Sequence, residues 1–408
     1  MPNTKSSSKA LPILFITLLI DLIGIGMVIP IIPTIFTDPT SPSFMLASYA
    51  SNHWYIIAGM VLGFYGLMQF IAAPILGELS DMYGRKKLLT IGVGILAISQ
   101  VFFGAGILVK SLWLIFISRM IAGLGGANFS IAQASIADIS EPENRAKNFG
   151  LIGVAFGLGF ILGPVFGGYI AHATGSAAMP FFVAGALGII NLISVSLFLP
   201  ETHHVRAEKK KIPLLKGINN LKQALTDKDA SRVYITSLLY MIGFSFFNSF
   251  SGIYLTHKYG LSEAALGTYF GVIGIWIVIT QAVILRFITK IYNEKQILRI
   301  TLLSMAFALI ILPFIPTLLL QYLFIPFLSI PQGLTMANIS SLISKSVSKD
   351  KQGAALGING SIGAFSQGTI PTLSGFVSSA FGVVFPFIIG GISIISAWYV
   401  LFIKSERK

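Results

Sequence analysis

Asp21 and Arg119 are the two charged residues that lie well inside apolar segments of this chain. The other charges, drawn from 28 Lys and Arg and 15 Asp and Glu, fall in short polar connections or at segment ends. An ionisable group near the centre of a bilayer costs roughly 2.5–3.5 kcal/mol on insertion scales, so it is rare without a task or a partner. One acid and one base in separate apolar segments could bind and release a proton. Burial opposes the charged carboxylate, and a nearby guanidinium favours it. Where the two effects nearly cancel, the acid can exchange its proton near neutral pH.

The spacing makes a meeting possible. Arg119 lies seven residues in from one end of its segment, about 10 Å at 1.5 Å per residue. Asp21 lies ten residues in from the opposite end of its own, about 15 Å. Across roughly 30 Å of hydrocarbon the two depths differ by about 5 Å, within reach of a long Arg side chain. The competing reading is a permanent ion pair that only fastens two segments, although a fixed buried pair is a poor stabiliser.

The elements that hold these groups must be membrane helices. The chain is 54% hydrophobic and 11% charged, against about 25% charged for a soluble domain. Its apolar stretches are continuous and long enough to cross as helices, unlike the alternating ten-residue strands of a barrel. Spans are expected near 11–36, 54–76, 88–109, 112–136, 149–172, 180–199, 233–256, 264–285, 297–316, 318–343, 353–378 and 383–403. The fold class is therefore an all-α membrane protein of twelve helices. The first apolar run has no small-residue cleavage site and reads as an uncleaved span. With no cysteine, neither disulfides nor thiolate metal sites are available.

Charge sets the expected topology. With both termini cytoplasmic, 25 of the 28 Lys and Arg fall on the inner side, and only Lys110 and Lys258 on the outer. That asymmetry follows the positive-inside rule and accounts for the net charge of +13 without nucleic acid. The longest polar stretch, 201–232, separates six spans from six, giving bundles 1–200 and 233–408 joined by a cytoplasmic linker. A short amphipathic helix is expected around Leu214–Leu225. The linker, with Lys209, Lys210 and Lys211, either touches anionic headgroups or is simply solvated.

The halves repeat. Ile75-Leu76, Tyr83, Lys86 and Leu89 align with Ile284-Leu285, Tyr292, Lys295 and Leu298, and Pro164 and Gly168 with Pro371 and Gly375. Such repeats imply a pseudo-two-fold axis along the membrane normal, a site near the midplane between halves, and rocking as the access mechanism.

Three stretches carry motifs. The loop after span two reads Gly77-Glu-Leu-Ser-Asp81-Met-Tyr-Gly84-Arg85-Lys86-Lys87. Gly77 would let span two approach a neighbour closely, and Gly84 permits a turn barred to other residues. Asp81 can accept from helix N-terminal amides or pair with Arg85, forming a latch that holds one state. The alternative is a hairpin whose cations only set topology. Span four reads Arg119-Met-Ile-Ala-Gly123-Leu-Gly125-Gly126-Ala127. Arg119 and Gly123 share a face, with small residues for tight packing or ligand room. Span five reads Gly157-Leu-Gly159-Phe-Ile-Leu-Gly163-Pro164-Val-Phe-Gly167-Gly168, where Pro164 can kink the helix and the glycines offer a smooth packing face.

The loop resembles the signature of the major facilitator superfamily, with Met82 where the signature prefers Arg. The resemblance implies that Gly77, Asp81, Gly84 and Arg85, with Lys86 and Asp138, latch the two halves on the cytoplasmic face. In the second half Arg286, Lys290 and Glu294 stand at the places of Gly77, Asp81 and Arg85, so the latch is degenerate there. Span four resembles the Arg-x-x-x-Gly motif of the superfamily's drug/proton antiporters. Gly159, Gly163, Pro164, Gly167 and Gly168 complete a pattern similar to their span-five antiporter motif. Asp21, in Asp-Leu-Ile-Gly24-Ile-Gly26, resembles the first span of the twelve-helix branch, and more narrowly of the tetracycline/proton antiporters. Ala137-Asp138-Ile139 and Gln352-Gly353 fit that branch too. The tetracycline exporters carry acids inside spans three and nine, and 88–109 and 297–316 contain none.

The resulting expectation is a proton-coupled exporter of small, largely apolar or amphipathic compounds, in a bacterial cytoplasmic (inner) membrane. It would work as a monomer, with a proton gradient, lipid and a small-molecule substrate as its partners. No cofactor and no metal is expected, since no ligand-like spacing appears and His53, His172 and His257 read as interfacial. Substrate contacts are expected from Tyr65, Gln69 and Asn128 in the first half. In the second they are expected from Tyr240, Phe244, Phe247, Asn248, Trp276, Gln332, Asn338 and Asn359. At any single aromatic, packing against lipid or core is the alternative. Two other functions stay open: a proton-coupled importer of a nutrient or metallophore, with Arg119 binding a carboxylate, and a non-transporting membrane sensor. An enzyme is not expected, since no Ser/His/Asp set, metal cluster or phosphate loop is present.

Overall fold

A computed structural model describes residues 4–141, 144–203, 212–213, 215–227, 230–348 and 351–402. The basic run at 209–211 and the C-terminal residues 403–408 lie outside these. Among the described residues the regular structure is helical throughout.

Eleven stretches are long and apolar enough to span a bilayer. Spans one to six are Ala10–Phe36, Ser51–Tyr83, Arg85–Leu108, Leu112–Ile139, Asn148–Thr174 and Met179–Phe198. Spans seven to ten are Ser231–Tyr259, Glu263–Ile291, Glu294–Phe314 and Leu318–Lys345, and span twelve is Phe385–Phe402. The remaining expected span is the helix Gln352–Phe381, rich in Gly and Ser and for that reason less apolar. It lies along span two and is called span eleven below. Large apolar side chains such as Ile190, Leu197 and Phe327 face outward, as they do where the surrounding solvent is hydrocarbon.

Three spans are interrupted where the sequence weakens the helix. Span one breaks at Met27, after Gly26 and before Pro30 and Pro33. Span four breaks between Gly125 and Asn128. Span eight widens into a π turn at Thr280–Ile284.

Span five is clasped between spans one and eight. A Cβ on Gly163 would stand 2.7 Å from the Gly26 Cα, and one on Gly159 would stand 2.4 Å from the Leu22 Cβ. On the other face, a Cβ on Gly168 would stand 2.1 Å from the Glu263 carbonyl. The smooth face expected of the span-five glycines is present and is used twice.

Spans two and eleven meet at one end only. Call the end carrying most of the Lys and Arg the basic end. Toward the opposite end a Cβ on Gly66 would lie 2.4 Å from the backbone of Gln367 and Gly368, and one on Gly59 would lie 2.3 Å from the Pro371 carbonyl. The Ser379 hydroxyl donates to the Asn52 carbonyl at 2.6 Å. Toward the basic end, Cβ atoms on Gly77, Gly353, Gly357, Gly360 and Gly363 would meet nothing within 4 Å. Gly77 therefore does not bring span two against a neighbour in this conformation, contrary to the expectation for it.

The linker forms the expected amphipathic helix, at Lys216–Thr226. This helix is not solvated on all sides. Its buried face, including Ala224 at 2% exposure, packs against spans two, seven and eleven.

Candidate functional site

The expected proton-exchanging acid is held by an amide rather than by a guanidinium. Asn128 Nδ2 donates to Asp21 Oδ2 at 3.0 Å. Among the described ion pairs none joins Asp21 to Arg119. Arg119 is 5% exposed, and its guanidinium lies over the Phe103 ring, 4.4 Å from the centroid. Its Nε and Nη2 have no hydrogen-bond partner. Asn128 already fills the near oxygen of the acid, and Phe103 covers the face of the base. The sequence-based pair is thus corrected to Asp21–Asn128, with Arg119 buried apart on an aromatic ring.

The break in span four places Asn128. The helix stops at Gly125 and restarts at Asn128. The freed Gly126 carbonyl accepts from Gln69 Nε2 at 3.0 Å, so the interruption leaves no orphaned acceptor there. A Cβ on Gly126 would stand 3.0 Å from the Tyr65 hydroxyl, and one on Gly123 would stand 2.4 Å from the Tyr65 carbonyl. The small residues after Arg119 are therefore spent on tight contact with span two. Asn128, 2% exposed, fills the hollow left by Gly92, where a Cβ would be 1.9 Å from Asn128 Oδ1. Asp21, Tyr65, Gln69 and Asn128 thus gather around the break in span four, with Arg119 set apart on Phe103.

The second-half candidates divide. Tyr240, Phe244 and Phe247 form a ladder of rings, with centroids 6.3 Å and 6.2 Å apart. The Tyr240 hydroxyl donates to the Gln332 carbonyl at 3.4 Å, while Gln332 Oε1 is buried without a partner. These four form an aromatic wall with a polar edge. Asn359 accepts from the Ser237 hydroxyl at 2.5 Å, and Asn338 donates to the Leu334 carbonyl of its own helix at 2.7 Å. Both are engaged in fastening helices. The Trp276 carbonyl accepts from Thr280 at the start of the π turn. Asn248 is half-buried beside this ladder's end of span seven.

The latch residues assemble, but within one half. Asp81 pairs with Arg85 at 2.5 Å, and Arg85 Nε reaches Asp138 Oδ2 at 3.1 Å. Arg85 Nη1 donates to the Ser80 hydroxyl at 2.5 Å. Residues that sequence reasoning missed complete the cluster. Glu201 Oε1 accepts from the backbone amide of Arg85 at 2.9 Å, and His203 Nδ1 lies 3.3 Å from Asp138 Oδ2. Gly84 has φ +100°, and a Cβ there would be 2.3 Å from Glu201 Oε2, so its glycine is required twice over. Lys86 offers only its carbonyl, to Thr90. Among the described residues, the partners of Asp81, Arg85 and Asp138 belong to the first half or to the start of the linker, at Glu201 and His203, and spans two and eleven stand apart at this end. In this conformation the cluster does not join the two halves.

Among the described residues no group of His, Asp or Glu has metal-ligand geometry.

Comparison with known proteins gives concordant results. The Major Facilitator Superfamily matches residues 14–368, with a second match over 233–408. The chain is 28% identical over 362 residues to the class C tetracycline resistance protein of Escherichia coli, covering 86% of this chain and 85% of that protein. It is 29% identical over 306 residues to multidrug resistance protein 1 of Bacillus subtilis (strain 168), covering 73% of this chain and 72% of that protein. Among solved structures, the human organic anion transporter MFSD10 (TETRAN) superimposes with a TM-score of 0.74 at 22% identity, covering 98% of this chain and all of that one.

Proposed function

The chain belongs to the Major Facilitator Superfamily, and on that premise we propose a proton-coupled exporter of small, largely apolar or amphipathic compounds. It works by alternating access in a bacterial inner membrane, with the basic end in the cytoplasm. The relatives named for drug resistance support outward transport. The observation that carries proton coupling is a lone acid deep in the described spans, Asp21, bound by one neutral donor, Asn128.

A neutral amide suits this task better than a guanidinium. A full ion pair would hold the carboxylate charged through the cycle, and breaking it would strand a buried charge. An amide supplies one hydrogen bond to a carboxylate that still accepts a proton. The proton binds an Asp21 oxygen, removing the charge that Asn128 holds. Arg119, uncompensated in this conformation, is the opposite charge nearest to that neighbourhood and is positioned to receive the carboxylate in another one. Of the aromatic ladder, Tyr240 and Phe247 are buried in the second half's core, and the half-buried Phe244 is the member that offers an apolar contact, suited to amphipathic molecules with few polar anchors.

With the basic end in the cytoplasm, the described conformation is open inward, since spans two and eleven are sealed at the opposite end. The test is uptake into inside-out vesicles under an imposed pH gradient, with tetracycline and a neutral aromatic dye as first probes. Proton-driven accumulation of either probe that is lost in Asp21→Asn supports the reading. Undiminished accumulation in that variant overturns it.

A further inference from the structure

The linker helix Lys216–Thr226 fills the place that spans two and eleven would occupy if they closed against each other at the basic end. Direct contact between these spans ends at Phe70 and Phe365, whose rings meet edge to face with centroids 5.7 Å apart. Immediately beyond, the linker helix takes over. A Cβ on Gly217 would lie 2.8 Å from the Phe70 carbonyl and 3.0 Å from its ring, so the helix starts hard against span two. Lys216 Nζ pairs with Glu78 of the same span. One turn later, Asn220 Nδ2 donates to the Ser361 hydroxyl of span eleven at 2.9 Å. One short helix is therefore fastened to both spans, at the level where they separate.

The span-eleven surface beyond it is built for close approach and is not used. Gly353, Gly357, Gly360 and Gly363 recur at three- and four-residue spacing, and a Cβ on any of them would meet open space. At the opposite end, glycines of the same two spans meet backbone to backbone. The other seam between the halves, spans five and eight, is shut further toward the basic end: a Cβ on Gly157 would touch Val278 at 2.5 Å, and one on Gly153 would reach Gln281 at 3.5 Å. The gap between spans two and eleven is the one that holds a separate helix.

We propose that the linker helix is a removable wedge: docked between spans two and eleven it holds the basic end open, and it must leave before that end can close. Among the described residues its polar fastenings to these two spans are one ion pair and one side-chain hydrogen bond, which suits a part that docks and leaves in every cycle. The exposed Leu215, Ile218 and Leu225 give it an apolar edge that can rest at the membrane surface when undocked. This goes beyond the exporter reading, because it concerns what sets the open state and not what is carried.

The chain has no cysteine, so Asn220→Cys with Ser361→Cys introduces the sole thiol pair. Bridging that pair with a short bifunctional thiol reagent that a reductant can cleave should abolish net transport at least tenfold, with recovery on cleavage. Transport by the bridged protein at the cleaved rate overturns the proposal. A second measurement does not depend on transport. Spin labels at Gly150→Cys and Gly353→Cys report the width of the basic end, and both positions have room for a label. In Lys216→Ala with Asn220→Ala the distance distribution should shift toward shorter separations. An unchanged distribution overturns the wedge even if the protein proves to be an exporter. A shift without any proton-driven transport leaves the wedge standing and removes the exporter reading.

Discussion

The Asn128 amide donates to the Asp21 carboxylate at 3.0 Å, across from a guanidinium that has no acid of its own. A hydrogen bond to a charged group contributes about 1.5–3 kcal/mol. Asn128→Leu should therefore slow proton-driven exchange by roughly tenfold or more, with substrate counterflow less affected. Asn128→Ser, which keeps a short donor in the hollow beside Gly92, should restore part of the rate. The comparison of the two exchange modes in proteoliposomes checks this. Equal loss in both modes would point to a structural role only.

Arg119 carries a second prediction. A buried cation without a counter-ion contributes little to stability, and a well-packed apolar replacement is often neutral or stabilising. Arg119→Met should leave the unfolding midpoint unchanged or raised, while proton-driven transport falls sharply. A strongly destabilised protein would mean that the guanidinium holds the bundle together.

Gly84 is a test of the loop. A residue with a side chain at φ +100° costs of order 1–3 kcal/mol in strain, and here it would also push on the Glu201 carboxylate that caps Arg85. Gly84→Ala should lower thermal stability measurably, and Glu201→Gln should lower it less. Thermal unfolding in detergent resolves both.

The seal at the opposite end depends on backbone contact. Gly66→Val would set a branched side chain against the backbone of Gln367 and Gly368, where even a Cβ would be 2.4 Å away. The variant should lose the closed seal, so that thiol labels placed near Asn52 and Ser379 become accessible from that side. Unaltered accessibility would show that the seal lies elsewhere.

Much of this architecture was legible in the chain. Continuous apolar runs marked the helices, eleven of them apolar enough to span among the described residues, and glycines at four-residue spacing in span five announced a packing face that the structure uses against two neighbours. Asp21 and Arg119 stood out because charge is costly in hydrocarbon. What could not be read was which group each of them meets. Depth along a helix constrains height and not the direction a side chain takes, and it is Asn128, the first helical residue after the break, that bonds the acid. Phe103 carried no signal, being one aromatic among many in an apolar span. Glu201 and His203 sat at the start of a polar linker and looked like solvent-facing residues. The amphipathic helix was visible in the linker, but its docking between two spans was not. Amphipathicity reports that one face is buried and is silent on what buries it.

Substrate-evoked proton movement in proteoliposomes, read with a pH-sensitive dye, tests the coupling role of Asp21 most directly. Wild type should show a proton signal when substrate is added, and Asp21→Asn should show none while still exchanging labelled substrate in counterflow. A proton signal of normal size in Asp21→Asn would contradict the assignment of this carboxylate as the carrier of the coupled proton.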